Sequence, residues 1–351
     1  MSTGAFQLGL PTHNHNPSSC VNVRGGILQA TSRKGRRKSS SSSKKGFGSA
    51  SPTADVDPSD APSTRSSEEQ PKQPDKPIYS MPALYDMAFG YRNYEEEVDF
   101  LVQQHQLLHE GTPPYKILEL AAGPARHCIY ALASSMVRSA TAMDLAPEMV
   151  AYGMEIAEHE MEDEPEILKN FDYIQGDMTS FEVEEQFDSA WILLGSLQHL
   201  TKNEQVISCF QCIHKALKPG GTLVLELPHP RETFSMIECT RNGWEVPLED
   251  ESGEESGELA IIWGDDNDEF DPITQVRQFT VEMQIKGVDC GDKLQSVREI
   301  VPMRHFTTQE IDALGRIAGF EISSLHGALA NDVEVNDEDQ AFRLVCVLRR
   351  L

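Results

Sequence analysis

The sequence predicts an α/β protein with a doubly wound, mostly parallel seven-stranded sheet and an antiparallel β insertion. Apolar segments of strand length alternate with helix-length segments between residues 116 and 227, as βαβ units with right-handed crossovers do. In addition, a strand at 116–120 runs into a turn of small residues, and the next strand ends near an acid, Asp144. This order is typical of a nucleoside-binding crevice at the carboxyl edge of a parallel sheet.

Each element of the alternating region follows from its local pattern. Apolar residues recur at helical spacing from Tyr91 to His109, which predicts an amphipathic helix ahead of the sheet. Strands are predicted at 116–120, 140–145, 172–177, 187–195 and 222–227, and helices at about 125–137, about 147–161 and 203–217. Cys209 and Cys212 share one apolar face of the last helix, which favours packing over a redox or zinc site because no second ligand pair is nearby.

The C-terminal part closes the sheet after an insertion at 229–306. Thr307 and Glu310 form a capping box for a helix that ends near Ala318, and strands at 321–325 and 342–348 follow. Within the insertion, residues 245–271 carry twelve acids and no base. We expect an acidic surface loop there, without the ligand spacing of a calcium site. Alternating runs at 276–285 and 294–303 then predict antiparallel strands over the mouth of the crevice.

Residues 1–77 have the composition of a disordered leader, and residues 78–351 that of the folded domain. The first 54 residues contain eight Lys or Arg and no acid, with a serine run at 39–43. Such a segment cannot bury enough apolar surface to offset its chain entropy. The pattern predicts a transit peptide for import into a plastid, with a mitochondrion or the cytoplasm as alternatives. A plain disordered basic tail is the other interpretation.

Charge and hydropathy exclude several classes of partner. The net charge of −26 includes the eight positive charges of residues 1–54, so residues 55–351 carry −34 and would repel phosphate backbones. We therefore expect no nucleic-acid partner. No run approaches 18 apolar residues, so no membrane insertion is expected. The seven scattered cysteines suit a reducing compartment.

The turn after the first strand limits which nucleoside can bind. It contains one glycine, Gly123, and the following Pro124 lacks a backbone N–H. A dinucleotide fingerprint needs three glycines so that N–H groups reach a pyrophosphate, and the chain has no G-x-x-x-x-G-K-[ST] segment. A nucleoside without a phosphate cradle is therefore predicted.

Four segments together resemble the successive motifs of class I S-adenosylmethionine-dependent methyltransferases. They are Glu119–His127, Met143–Met149, Gln175–Met178 and Leu217–Leu223. The resemblance extends from about Tyr79 to the C-terminus. It implies a Rossmann-like methyltransferase fold and S-adenosyl-L-methionine as the cofactor.

The resemblance also assigns cofactor-binding residues. Asp144 accepts from the ribose hydroxyls, Gly123 lets the backbone approach the methionine portion, Asp177 receives the adenine amino group and Met178 caps the ring. Glu119 orders the turn, and the Leu194–Gly195 backbone lies near the amino acid end. The full expected set is Glu119, Ala121, Gly123, Asp144, Leu145, Asp177, Met178 and Leu194. For Asp177, the alternative is a turn aspartate.

Methyl transfer mainly requires alignment of a nucleophile and, where needed, removal of a proton, so no metal is expected. The segment Gly195–Leu200 follows the fourth strand and resembles a segment of small-molecule N-methyltransferases, including those that act on amino sugars. In those enzymes a histidine and an N-terminal tyrosine line the acceptor site. His199 is therefore the candidate general base or acceptor orienter. The alternative is a histidine that only packs or caps a helix.

The sequence offers further candidates for contacts with the acceptor. The segment Tyr85–Tyr94 resembles the N-terminal lid of the same enzymes, without deciding which tyrosine faces the ligand. His229, Arg231 and Arg304 lie near the same sheet edge, where packing roles are equally compatible with the sequence.

We therefore expect methyl transfer to a nitrogen or oxygen of a small-molecule acceptor. One rival is methylation of a protein side chain. Another is a non-catalytic S-adenosylmethionine-binding sensor or assembly protein. Closure of the insertion over the crevice would favour a small acceptor, whereas an open acidic groove would suit a basic peptide.

The leader hypothesis predicts that deletion of residues 1–75 leaves the melting temperature and the cofactor affinity nearly unchanged, because a disordered segment would bury no core. The deleted form should lose plastid import when it is fused to a fluorescent reporter. A full-length fusion that stays in the cytosol would show that the targeting assignment is wrong.

Overall fold

The computed structural model describes residues 77–184, 186–231, 242–249, 255–265, 267–287 and 296–351. The leader predicted over residues 1–77 therefore lies outside the described residues, except for Pro77. Among the described helices, none is both long and apolar enough to cross a membrane.

The described residues form twelve strands and seven α-helices. The strands are β1 (Lys116–Leu120), β2 (Ser139–Asp144), β3 (Phe171–Gln175), β4 (Phe187–Ile192), β5 (Leu217–Pro228), β6 (Asn242–Glu249), β7 (Glu255–Trp263), β8 (Phe270–Asp271), β9 (Val276–Lys286), β10 (Ser296–Arg304), β11 (Phe320–His326) and β12 (Arg343–Arg350). The helices are α1 (Pro82–Phe89), α2 (Tyr94–Leu108), α3 (Arg126–Ala133), α4 (Pro147–Glu160), α5 (Pro165–Leu168), α6 (Asn203–Ala216) and α7 (Thr308–Ile317). Two 3₁₀ turns, Ile78–Ser80 and Ser196–His199, complete the set.

The main sheet has seven strands in the order β11-β12-β5-β4-β1-β2-β3. Strands β1 to β5 pair in parallel, and β12 pairs antiparallel with both β5 and β11. Helices cover both faces, and an apolar core cluster forms on each face. The predicted doubly wound, mostly parallel sheet is confirmed. The strand order reverses between β1 and β4, where α/β proteins bind ligands.

Several predicted boundaries differ from the observed ones. The helix expected to about residue 137 ends at Ala133, and the strand expected to reach residue 195 ends at Ile192. Leu194 and Gly195 then have φ values of 55° and 75°, which no strand residue adopts. The capping box is present as predicted, because Thr307 accepts from the N–H of Glu310 while Glu310 accepts from that of Thr307.

The prediction of an acidic surface loop at 245–271 is wrong for much of the described part. Residues 242–249 and 255–263 are instead the paired antiparallel strands β6 and β7 of a second sheet, ordered β10-β9-β7-β6 with β8 paired to β9. The acids fit a strand because alternation places them away from the core. Glu245 and Glu258, for example, bind Lys286 on the exposed face, whereas Leu248 and Leu259 are buried.

The second sheet packs against helix α1. Leu259, Ile261 and Met283 of this sheet are buried in one apolar cluster with Ala88 and Phe89 of α1. Trp244 donates its indole N–H to the carbonyl of Ala88 at 2.9 Å. The inserted strands thereby cover helix α1, which in turn borders the crevice of the main sheet.

A buried network of charges joins the start of helix α2 to the main sheet. Arg92 donates from Nε to Glu97 at 2.8 Å and from Nη2 to Glu226 of β5 at 3.1 Å. Glu97 also pairs with Nε2 of His127 at 2.7 Å, and Nδ1 of His127 lies 3.6 Å from Glu119 of β1. Alternating positive and negative groups offset the cost of burying each charge.

The carboxylates also set the charge state of His127. Burial alone would lower its pKa, but hydrogen bonds to Glu119 and Glu97 raise the pKa to about 9. The imidazole is therefore a cation at neutral pH. Burial would likewise lower the pKa of Arg92, yet Glu226 and Glu97 raise it.

We predict that His127→Gln lowers the free energy of unfolding by about 3 kcal/mol near pH 6, the scale for breaking a buried ion pair. Because the folded pKa of His127 lies above the ordinary value of about 6.5, its contribution is complete below pH 6.5 and is lost as pH rises through about 9. Denaturant unfolding of both proteins from pH 6 to 9.5 measures the difference. The difference should shrink with rising pH.

The matched control is His159→Gln, because His159 lies half-buried at the end of α4. It should leave the pH dependence of stability close to that of the wild type. A difference between wild type and His127→Gln that stays constant over the whole pH range would contradict the assignment of a charged His127.

Candidate active site

The turn after β1 brings Gly123 onto the carboxylate of Asp144. Ala121, Gly123 and Ala125 have φ values of 51°, 55° and 57°, so the backbone of this turn is left-handed at alternate positions. The N–H of Gly123 donates to Oδ2 of Asp144 at 2.8 Å. The tight turn therefore exposes backbone at the carboxyl end of β1. Ala121 and Ala125 adopt a left-handed conformation that is unfavourable for residues with a Cβ atom.

Asp144 is held in place by backbone donors. Its Oδ1 accepts from the N–H of Ala146 at 2.9 Å, in addition to the bond from Gly123 to Oδ2. Burial raises the pKa of Asp144, and the N–H groups of Ala146, Gly123 and Leu145 oppose that shift. An ionised carboxylate has about four lone-pair sites, so each oxygen can accept a further hydrogen bond. The side chain can thus bind a pair of ligand hydroxyls.

Helix α1 forms one wall of a crevice above this turn. The crevice is lined by Tyr85, Phe89 and Tyr94 together with Gly123, Leu194 and Ser196. Asp86 fixes the helix, because it receives two hydrogen bonds from Arg126 of α3, at 3.0 and 2.6 Å, and one from Tyr152 of α4 at 3.0 Å. A Cβ atom on Gly123 would lie 3.7 Å from the ring of Tyr85. The α1 segment thus has the position expected of a lid.

The turn after β4 forms the opposite wall. The carboxylate of Glu226 accepts the N–H of Leu194 at 2.8 Å, and its backbone carbonyl accepts the N–H of Gly195 at 2.9 Å. The side chain of Glu226 also pairs with Arg92. One buried residue of β5 therefore fixes both the left-handed turn at Leu194 and the chain that leads from the lid to α2.

His199 ends the 3₁₀ turn after β4 and contacts Tyr79. The Tyr79 hydroxyl and Nε2 of His199 are 3.1 Å apart, and their rings meet edge to face with centroids 5.4 Å apart. Burial lowers the pKa of His199, so the imidazole is neutral at physiological pH. Burial, Tyr85, Glu299 and Asp144 raise the pKa of Tyr79, so the phenol keeps its proton. The pair can accept or relay a proton.

The other predicted cofactor residues lie along the same carboxyl edge. Glu119 accepts the N–H of Cys128 at 3.1 Å, so it orders the start of helix α3 directly after the turn. Leu145 is 68% exposed beside Asp144. Asp177 follows β3 and accepts from the N–H and hydroxyl of Thr179 at 2.8 and 2.7 Å, which is the geometry of the turn alternative. Met178 is half-buried beside the core.

The three further acceptor candidates are engaged in packing contacts. His229 lies 2.8 Å from the carbonyl of Val335 and accepts the N–H of Arg231. Arg231 donates to the carbonyls of Asp337 and Glu338. Arg304 is buried, pairs with Glu310 at 2.9 Å and stacks over Phe306. These contacts tie the end of β5 to the segment before β12 and the end of β10 to α7.

Sequence reasoning missed Tyr79, Arg92 and Glu226. Tyr79 lies at the edge of the described chain, ahead of any periodic segment, and only the structure pairs it with His199. Arg92 is part of the predicted lid segment, but the sequence gives no sign that it is buried. Of these three residues, only Glu226 is recognisable from the sequence as functionally placed, because a charged residue in the otherwise apolar strand 222–227 needs a buried partner.

A family model and a curated relative match this chain. Residues 117–221 match a family model described as a methyltransferase domain. The protein YqeM of Bacillus subtilis (strain 168), which is provisionally named a methyltransferase, is 25% identical in an alignment of 233 residues, and the match covers 61% of this chain and 86% of YqeM.

Solved structures share the fold at low sequence identity. An S-adenosylmethionine-dependent methyltransferase of Clostridium acetobutylicum ATCC 824 aligns with a TM-score of 0.59 and 13% identity, over 77% of this chain and 97% of its own. The sugar N-methyltransferase KedS8 of Streptoalloteichus sp. ATCC 53650 aligns with a TM-score of 0.57 and 17% identity, over 76% of this chain and 92% of KedS8. The amino pentose methyltransferase CalS10 of Micromonospora echinaspora was solved with S-adenosylmethionine bound. It aligns with a TM-score of 0.55 and 18% identity, over 77% of this chain and 95% of CalS10.

Proposed function

We propose that the chain is a class I S-adenosylmethionine-dependent methyltransferase, which transfers the cofactor's methyl group to a nitrogen or oxygen of a small molecule. The observation that carries the proposal is the hydrogen bond between Tyr79 and His199, next to Tyr85 of the lid segment. A proton acceptor beside the β4 turn is what methylation of a protonated nucleophile requires.

The residues around Asp144 fit the cofactor chemically. The carboxylate keeps acceptor capacity for two ribose hydroxyls, and exposed Leu145 offers apolar surface for a flat ring. We assign the ribose to Asp144, the adenine to Asp177 and Met178, and the amino acid portion to the backbone of Ala121, Gly123 and Leu194. Glu119 acts indirectly, by holding the turn and the start of helix α3 in place.

The chain's residues would then align the acceptor and manage its proton. When bound, S-adenosylmethionine supplies an activated methyl group on a positively charged sulfur. The lid and the turn after β4 hold the acceptor against that methyl group, which is the main source of rate enhancement in such a reaction. Neutral His199 receives the acceptor's proton, and Tyr79 fixes the imidazole orientation through its hydroxyl.

The inserted sheet supports a small acceptor rather than a protein side chain. Strand β10 contacts both 3₁₀ turns that carry Tyr79 and His199. In the Tyr79 turn, the N–H of Ile78 donates to Glu299, and in the His199 turn, the side-chain amide of Gln198 donates to the carbonyl of Arg304. A pair covered in this way is poorly accessible to a residue on a folded protein. Import into a plastid stays a prediction, which the reporter fusion tests.

The direct test is release of S-adenosylhomocysteine from S-adenosylmethionine in the presence of amine, hydroxyl and carboxylate metabolites. Turnover with an amine or hydroxyl compound supports the proposal. Cofactor binding without turnover on any of them would favour the non-catalytic sensor, and turnover only on added proteins would favour the side-chain methyltransferase.

Asp144→Ala should weaken S-adenosylmethionine binding by about 1.5–3 kcal/mol, because two hydroxyls lose a charged acceptor. Titration calorimetry measures the affinity. Asp172→Ala is the control, since Asp172 is an exposed aspartate of the neighbouring strand β3. Equal affinities of Asp144→Ala and the wild type, with Asp144→Ala well folded, would disprove the ribose assignment.

His199→Asn should lower kcat by about 100-fold, within the usual range for loss of a general base, while the cofactor affinity holds. The pH–rate profile should lose one ionisation, at or below pH 6.5, because burial lowers the pKa of His199. Tyr79→Phe removes only the hydroxyl and should reduce kcat less. Turnover of His199→Asn that follows its thermal stability would instead indicate a packing role.

A further inference from the structure

Glu299 places a carboxylate in an apolar layer that faces the lid. Alternate residues of β10 point to the same side of the strand. Val297 and Val301 on that side are buried in one cluster with Ile78 of the Tyr79 turn, and half-buried Glu299 lies between them. A strand that only had to pack would carry an apolar residue at this position.

The carboxylate of Glu299 lies next to the proposed acceptor site. Its Oε2 accepts the N–H of Ile78 at 2.7 Å, one residue before Tyr79. Glu299 also adds to the rise in the pKa of Tyr79, after the larger effects of burial and Tyr85. The field of the carboxylate therefore reaches the hydroxyl that contacts His199.

The arginines beside the crevice form ion pairs with other carboxylates. Arg92 pairs with Glu97 and Glu226, and Arg126 pairs with Asp86. Among the residues that the structure describes, no lysine, arginine or histidine pairs with Glu299. The described residues therefore give Glu299 one hydrogen bond from a neutral amide and no cationic partner.

We propose that Glu299 is a specificity-determining residue that selects acceptors bearing a positively charged amine. The inference rests on the proposed function and extends it from nitrogen or oxygen acceptors to cationic amines. An ammonium beside Glu299 would supply the missing positive charge and form a charge-assisted hydrogen bond. Acceptors with a carboxylate would be repelled, and neutral hydroxyl compounds would gain nothing from the charge.

The test compares two probes of the same shape on the protein saturated with S-adenosylhomocysteine. Cyclohexylamine is a cation at neutral pH and cyclohexanol is neutral. The wild type should bind the amine with a Kd at least about tenfold lower than that of the alcohol, the scale of one hydrogen bond to a charged group. In Glu299→Gln the ratio of the two Kd values should fall close to one.

The variants are chosen so that folding does not obscure the result. Glutamine keeps a carbonyl oxygen that can accept the N–H of Ile78. The control Glu282→Gln removes the same charge from the opposite face of the second sheet, where Glu282 lies 3.9 Å from Arg298, and should keep the wild-type ratio.

The proposal is overturned if the wild type shows no preference for the amine, if it binds neither probe, or if the preference survives in Glu299→Gln. If Glu282→Gln loses the preference for the amine to the same extent, the preference is a general effect of charge, and the proposal is also overturned. Failure of the proposed function is distinguishable, because it appears as an absence of S-adenosylhomocysteine release by the wild type.

Discussion

The ion pairs of Arg92 are the constraint on which the site depends. The guanidinium lies between Glu97 and Glu226, with its side chain only 6% exposed. Glu226 in turn holds the N–H of Leu194, and Glu97 holds His127 above Glu119. One cation thereby links the lid connection, helix α2, strand β5 and the turn after β4. Loss of a partner would leave a buried charge uncompensated, so these elements are held together as a unit.

This arrangement explains how a shared fold can carry an individual acceptor site. The main sheet supplies the edge to which we assign the cofactor, where Asp144 and Gly123 are fixed by backbone hydrogen bonds. The inserted sheet supplies the cover, because its inner face packs on helix α1 and its strand β10 borders both 3₁₀ turns. Under the proposed function, changes in the insertion would alter the choice of acceptor without disturbing cofactor binding.

The sequence predicts the main sheet well because its signals are local and redundant. Strand-length apolar runs, the turn at Gly123 and the capping box at Thr307 each specify their own conformation. The composition of the acidic segment predicts a loop, whereas Trp244, Val246 and Leu248 recur at the period of a strand, which the structure confirms. Tyr79 and His199 are 120 residues apart, and Arg92 and Glu226 are 134 apart. Such pairings depend on the fold and leave no local pattern.

The most direct test is a crystal structure of the protein with S-adenosylhomocysteine and a bound amine. We expect both ribose hydroxyls to lie within hydrogen-bond distance of Asp144, and the sulfur to face the amine nitrogen beside His199 and Tyr79. A ligand bound away from Asp144, or a sulfur that faces solvent with His199 and Tyr79 on its far side, would contradict this expectation.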